Sequence, residues 1–184
     1  MDIRDRILDA ALGLLAQGGV QELTQPRVAR AAGVRQSHLT YYFPTRADLL
    51  QAVAYRSIDA LAGPLLRSAQ RGALGPDAVP DAFAHAITDK GRTRTMLALV
   101  ASADHDPAVR RRLRRLIREI RTRLGVVMGA AGTTTDVSEV AFLHTLLVGA
   151  AVLYLARNSV AARREARDAL RRGIGALAPR QQAG

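Results

Sequence analysis

Apolar residues recur at three- and four-residue steps along nearly the whole chain, and strict alternation is almost nowhere found, so the pattern predicts helices and no sheet. Ile3, Ile7, Leu8, Ala11, Leu14 and Leu15 mark a first amphipathic helix, which Gly18-Gly19 stops. A short segment runs from Thr24 to Ala32 and breaks at Gly33; another runs from about Arg35 to Tyr42 and halts before Pro44. Thr45 opens a long helix reaching about Gln70, in which Gly63-Pro64 predicts a kink. Arg71 to Pro80, with two Gly and two Pro, reads as a linker. Asp81 to Lys90 and Arg92 to Ala103 read as shorter helices separated near Gly91. Asp106-Pro107 is a cap followed by a first-turn proline, and the helix it opens turns Leu113, Leu116, Ile117, Ile120 and Leu124 to one side. Gly129 to Thr135 is a loop, Asp136 begins an apolar helix ending near Asn158, and Ser159 caps a last one to about Leu177. The expected fold is all-α with about nine helices, and residues 179–184 form an expected disordered tail.

The two short segments carry the most specific chemistry. Two helices of about two turns joined by a glycine-containing turn are the helix-turn-helix layout. Thr24 stands where an N-cap belongs, Pro26 falls in the first turn, and Leu23 and Val28 are spaced as a hydrophobic staple. In the second segment Val34, Leu39 and Phe43 turn inward, leaving Arg35, Gln36, Ser37, His38, Thr40, Tyr41 and Tyr42 outward. Arg bridges guanine O6 and N7, Gln bridges adenine N6 and N7, and hydroxyls bond phosphate oxygens. A helix so short and polar is held only by tertiary packing.

The stretch Leu23-Thr24, Val28-Ala29-Arg30-Ala31-Ala32-Gly33-Val34, Leu39 and Tyr41-Tyr42-Phe43-Pro44-Thr45-Arg46-Ala47-Asp48-Leu49-Leu50 resembles the TetR family of bacterial transcription regulators. The resemblance covers roughly the first 50 residues. This chain has Arg35 where the family often has Ser, Thr40 where it usually has Tyr, and Arg46 where it usually has Lys. The resemblance implies base reading by Arg35, Gln36, Ser37 and His38 and phosphate anchoring by Thr24, Thr40, Tyr41, Tyr42 and Arg46. It implies a DNA-binding domain over 1–45 and a helical regulatory and dimerisation domain over 46–178. On the residues alone, an all-helical small-molecule-binding or interaction protein without specific DNA recognition stays open as an alternative.

Composition narrows the field. The 184 residues include no Cys, which excludes a disulfide scaffold, a thiolate metal site and a cysteine nucleophile. His38, His85, His105 and His144 are scattered, with no ligand pair at metal-binding spacing. No phosphate-cradling glycine loop or nucleophile elbow occurs, so neither an enzyme nor a cofactor is expected. The start is charged where an export signal would turn apolar, and the longest apolar run, Val140 to Ala156, is shorter than the about 20 residues of a membrane span. A cytoplasmic protein without a membrane partner is the expectation.

The net charge of +11 favours a polyanionic partner. It is not concentrated in the head: residues 1–50 hold six arginines against five acids. Hydroxyls, amides and helix N-termini must therefore carry much of any phosphate binding there. Eight arginines instead lie between Arg110 and Arg123, with Glu119 as the one acid, and read first as the solvated outer face of a helix, with auxiliary DNA attraction and an acidic ligand or partner as the alternatives. The helix from Val137 to Arg157 is apolar nearly all round, more than one small domain can cover. The resemblance implies that the last two helices form a homodimer interface, here Val140, Leu143, Leu147, Ala151, Leu155 and Leu170. Two recognition helices would then meet an inverted repeat, so double-stranded DNA is the expected partner. The resemblance also implies a small-molecule effector among the central helices. Phe83, Ile87, Met96, Leu97, Val100, Ile117 and Met128 are candidate lining, with His85, His144 or Tyr154 as polar handles. Scarce acids and aromatics there favour a neutral or anionic apolar effector over a cation.

Overall fold

The computed structural model describes residues 2–75, 77–133 and 135–177, and the expected disordered tail lies outside them. Among the described residues there is no strand. Nine α-helices follow in order: α1 Ile3–Gly18, α2 Gln25–Ala31, α3 Gln36–Tyr42, α4 Arg46–Gln70, α5 Ala78–Thr88, α6 Lys90–His105, α7 Pro107–Ala130, α8 Val137–Arg157 and α9 Val160–Ala176. A 3₁₀ turn, Val20–Glu22, links α1 to α2.

Most boundaries follow local chemistry. Asp106 accepts from the amides of Ala108 and Val109 and so caps α7. Asp136 caps α8 by accepting from Ser138 and Glu139, and Ser159 caps α9 by accepting from Ala162. Asn158 ends α8 in a left-handed conformation. Two expectations need correction. Helix α5 begins at Ala78, so Pro80 lies in its first turn, where a missing amide costs no helical bond. Helix α6 begins at Lys90, which takes Gly91 into its first turn.

The chain divides into two compact units, Met1–Asp59 with Lys90–Leu116 and Ala60–Asp89 with Ile117–Gly184, with the divisions falling inside α4 and α7. In the first unit α1 packs on α2, α3 and α6. Its buried side chains include Ile7, Leu8, Leu15, Leu23, Val28, Leu39, Phe43, Leu49, Leu50 and Val53. In the second unit α5, α8 and α9 pack on one another, around a core that includes Phe83, Ile87, Leu124, Met128, Val140, Leu143 and Leu170. A Cβ at Gly173 would lie 2.4 Å from Leu146 Cδ2, so the α8–α9 crossing is close at that glycine.

Helix α8 is 21 residues, long and apolar enough by length and composition alone to cross a bilayer. One subunit covers it only in part. Its buried residues are Val140, Leu143, His144, Ala150, Ala151 and Tyr154, whereas Phe142 is 50% and Leu153 57% exposed.

The turn between α2 and α3 is a Schellman motif: Val34 N donates to Ala29 O across 2.9 Å, with Gly33 at φ +63° between them. Arg6 closes it from α1, donating through Nη2 to Ala32 O at 2.8 Å and Gly33 O at 3.1 Å. A Cβ at Gly33 would stand 3.0 Å from that Nη2. Gly33→Ala is therefore expected to destabilise the head by about 1–2 kcal/mol, from left-handed backbone alone, in denaturant unfolding. Unchanged stability would mean that the turn rearranges freely.

Candidate nucleic-acid interface

Helix α3 has seven residues, and Leu39 is the only one buried among them. Arg35 stands at the N-cap position, with no side-chain cap bond. Gln36, Ser37, His38, Thr40 and Tyr41 are all exposed, Tyr41 by 80%. Tyr42 is half-buried and meets Tyr41 edge to face, with ring centres 5.2 Å apart. Thus Leu39 holds the helix down and the polar set stands in solvent on its remaining surface. The donors and acceptors that major-groove edges require are gathered on two helical turns.

Two of the side chains expected to anchor phosphate behave differently from the simplest expectation. Thr24 occupies the N-cap position of α2, but its hydroxyl makes no capping bond. The Thr40 hydroxyl donates to Gln36 O at 3.0 Å, so it keeps only its lone pairs for a further partner. Arg46 opens α4 and is exposed.

The surroundings of α3 are fixed by residues that periodicity did not single out. Gln25 Nε2 donates to Phe43 O and Pro44 O, both at 3.3 Å, tying the start of α2 to the turn after α3. Thr45 and Asp48 form a capping box at the start of α4: Thr45 N and Oγ1 donate to Asp48 Oδ2 at 3.0 and 2.7 Å, and Asp48 N donates to Thr45 Oγ1 at 3.1 Å. Arg112 of α7 pairs with the other Asp48 oxygen. Partial burial acts to raise the Asp48 pKa, but the hydrogen bonds from Thr45 and Arg112 outweigh it and hold the carboxyl below its usual range. The stabilisation this gives is present at neutral pH and fades as pH falls through that lowered value. The Thr-x-x-Asp spacing was readable as a cap; the Arg112 pairing, 64 residues away, left no local signal.

The arginine-rich helix is not one uniform solvated face. Arg110 bonds Ala103 O and Asp104 O at the end of α6, Arg112 holds Asp48, and Arg123 pairs with Glu119. Arg121 is half-buried and donates from Nε to His144 Nδ1 at 3.4 Å. Arg111, Arg114, Arg115 and Arg118 are the ones left exposed on the outer side.

The candidate effector residues fall in different places. Phe83 and Ile87 share the buried core of the second unit, where His144 is also buried and Ile117 half-buried. Met96 and Val100 belong to the first unit, and Val100 is 50% exposed. A cleft of about 100 Å³ in the second unit is lined by Pro80, Asp81, Ala84, Arg167, Leu170, Arg171 and Ile174, and it contains none of these candidates. Of the residues expected at a dimer interface, Val140, Leu143, Ala151 and Leu170 are turned into the subunit's own core, because α5 and α9 cover that side of α8. This corrects the expected interface: only Leu147 and Leu155 keep partial exposure, and the open face of α8 carries Ser138, Phe142, Thr145, Gly149 and Leu153. Among the described residues no group of three or more metal-ligating side chains is gathered.

Known proteins agree with this architecture. The family model for bacterial regulatory proteins of the tetR family matches residues 7–53, and the model for the tetracyclin repressor-like C-terminal domain matches residues 73–176. A TetR-family regulator from Rhodococcus sp. has a similar structure at TM-score 0.72 and 24% identity, over 95% of this chain and 97% of that one. The multidrug binding protein EbrR in complex with proflavin gives TM-score 0.60 and 24% identity, over 94% and 99% of the two chains. A transcriptional regulator from Saccharomonospora viridis in complex with choline gives 0.67 and 15%, over 94% and 95%. No curated protein sequence matches. With a helix-turn-helix head and both family models in register along its length, the chain belongs to the TetR family of bacterial regulatory proteins.

Proposed function

We propose that the protein is a ligand-responsive repressor that binds an inverted-repeat operator as a homodimer and is released by a small apolar effector, neutral or anionic. The observation that carries the reading is the exposed set Arg35, Gln36, Ser37 and His38 on a helix whose one buried residue is Leu39. These four read base edges, while Thr24, Thr40, Tyr41, Tyr42 and Arg46 hold phosphates and fix the register. The functional division is 1–45 for reading DNA and 46–178 for effector binding and dimerisation. A second copy covers the apolar side of α8 that bears Phe142 and Leu153. Two heads then meet successive major-groove faces about 34 Å apart. Steric blockage of transcription follows most simply from a bound dimer.

The related structures hold proflavin and choline, both organic cations. This chain's interior has the opposite bias, because no acidic side chain is buried among the described residues. Phe83, Ile87, Ile117 and His144, all in the second unit, remain the proposed effector-facing residues.

The test is selection of bound fragments from the source genome, followed by binding to the selected site and to random duplex across a salt series. The expected result is a steep loss of affinity with salt and a preference of at least roughly 10³ for the selected site. Equal, weak binding to both duplexes would leave only an all-helical binding protein.

A further inference from the structure

Arg111, Arg114 and Arg115 stand on one side of α7 and are exposed, with Arg118 following on the next turn. Residues three and four apart on a helix are neighbours, with Cβ atoms about 5–6 Å apart, so Arg111 adjoins both of the others. Among the described residues no carboxylate pairs with any of the three, whereas Arg112 and Arg123 on the same helix pair with Asp48 and Glu119. The acids that precede the helix are otherwise placed: Asp106 accepts from the amides of Ala108 and Val109, and Asp104 lies beside His105. Like charges this close repel one another, and only water and salt screen them.

The row adjoins the head. It lies in the first unit with α1, α2 and α3. Arg115 is three residues from Arg112, so the two are surface neighbours, and Arg112 pairs with Asp48 in the first turn of α4. Arg46, proposed above to hold phosphate, opens that same turn. The head itself brings little attraction for a polyanion. Residues 1–50 hold six arginines against five acids, and Arg6 and Arg27 are taken up by the α2–α3 turn and by Glu22. Residues 107–116 hold five arginines and no acid.

We infer that Arg111, Arg114 and Arg115 bind the phosphate backbone of duplex DNA, as a contact separate from base reading by α3. Each strand carries one negative charge per about 3.4 Å of helix axis, so three clustered guanidinium groups meet two or three phosphates. The contact carries no sequence information; it supplies the salt-dependent attraction that the near-neutral head lacks. The inference rests on the DNA-binding reading above and extends its surface from the head to α7.

The test is binding of the full-length protein to random duplex and to the selected site across a salt series, with poly-L-glutamate as a second polyanion. The triple variant Arg111→Gln, Arg114→Gln, Arg115→Gln is expected to flatten the slope of log affinity against log salt by about 2–3 for both duplexes. Affinity for both should fall roughly tenfold to a hundredfold at low salt, with the preference for the selected site unchanged. Arg111→Lys, Arg114→Lys, Arg115→Lys should keep the wild-type slope, because an ammonium also holds phosphate as a point charge. A control with the same loss of charge, Arg164→Gln, Arg167→Gln, Arg171→Gln at exposed positions of α9, should stay within about threefold of wild type. A wild-type slope in the α7 Gln variant, an equal fall in the α9 control, or a Lys variant as weak as the Gln variant overturns the inference. So does poly-L-glutamate bound as tightly as random duplex through the same three arginines, which would make the row a seat for an acidic protein. Failure of the operator reading shows separately, as wild-type protein with no preference for the selected site.

Discussion

Arginine at Phe142 is expected to give a folded monomer that has lost its operator. Phe142 is half exposed on α8, with its ring edge beside Gly173 of α9 and Leu153 three turns further along. In a two-fold dimer the same patch meets itself, so the new charge lies close to its own copy as well as to apolar surface. Desolvating two such charges against each other and against apolar surface costs several kcal/mol. The subunit itself should stay folded, because the substitution leaves the core of Val140, Leu143 and Leu170 intact and removes only the ring's approach to Gly173. Operator affinity should fall by roughly a thousandfold or more, since one head then binds with about half of the specific free energy. Light scattering gives the mass, and titration of the selected duplex gives the affinity. A dimer that persists with unchanged affinity would place the interface elsewhere.

Leu39→Ala is expected to have the second largest effect. Leu39 is fully buried and is the only such residue within α3. Truncating a buried leucine costs about 2–5 kcal/mol. A seven-residue helix has almost no stability of its own, so the loss falls on α3 before it reaches the rest of the first unit. DNA binding should disappear at temperatures where the second unit still shows its native helicity, and amide exchange in α3 should accelerate first. Unfolding of both units together, with α3 no more exposed than the rest, would contradict the view that Leu39 alone docks this helix.

The features legible in the sequence were those written in neighbouring residues. Gly18-Gly19 ends α1, Asp106 and Asp136 cap their helices, and the Ala-Ala-Gly turn separates α2 from α3, because each is decided within a few residues. The polar face of α3 was legible for the same reason. What joins distant parts of the chain was not. Arg6 on the α2 turn, Gln25 on the turn after α3, Arg112 on Asp48 and Arg121 on His144 all span more than 15 residues. An arginine in a basic run looks the same in sequence whether it ends in water or on a buried imidazole. Helix α8 misled for another reason: apolar residues on every side showed that it needed cover, but not which side its own subunit would supply. Hence Val140 and Leu143 were assigned outward and Phe142 was passed over.

The central claim is that the outward side chains of α3 read base edges. The direct measurement is the affinity of wild type and Gln36→Ala for every single-base change in the selected half-site. Gln36→Ala should lose about 1–3 kcal/mol of discrimination at one base pair and leave the other positions as selective as before. Tyr42→Phe, measured alongside, should weaken all sequences alike. If Gln36→Ala instead retains every preference of the wild type, or weakens all duplexes equally while remaining folded, α3 does not read the sequence and the account is wrong.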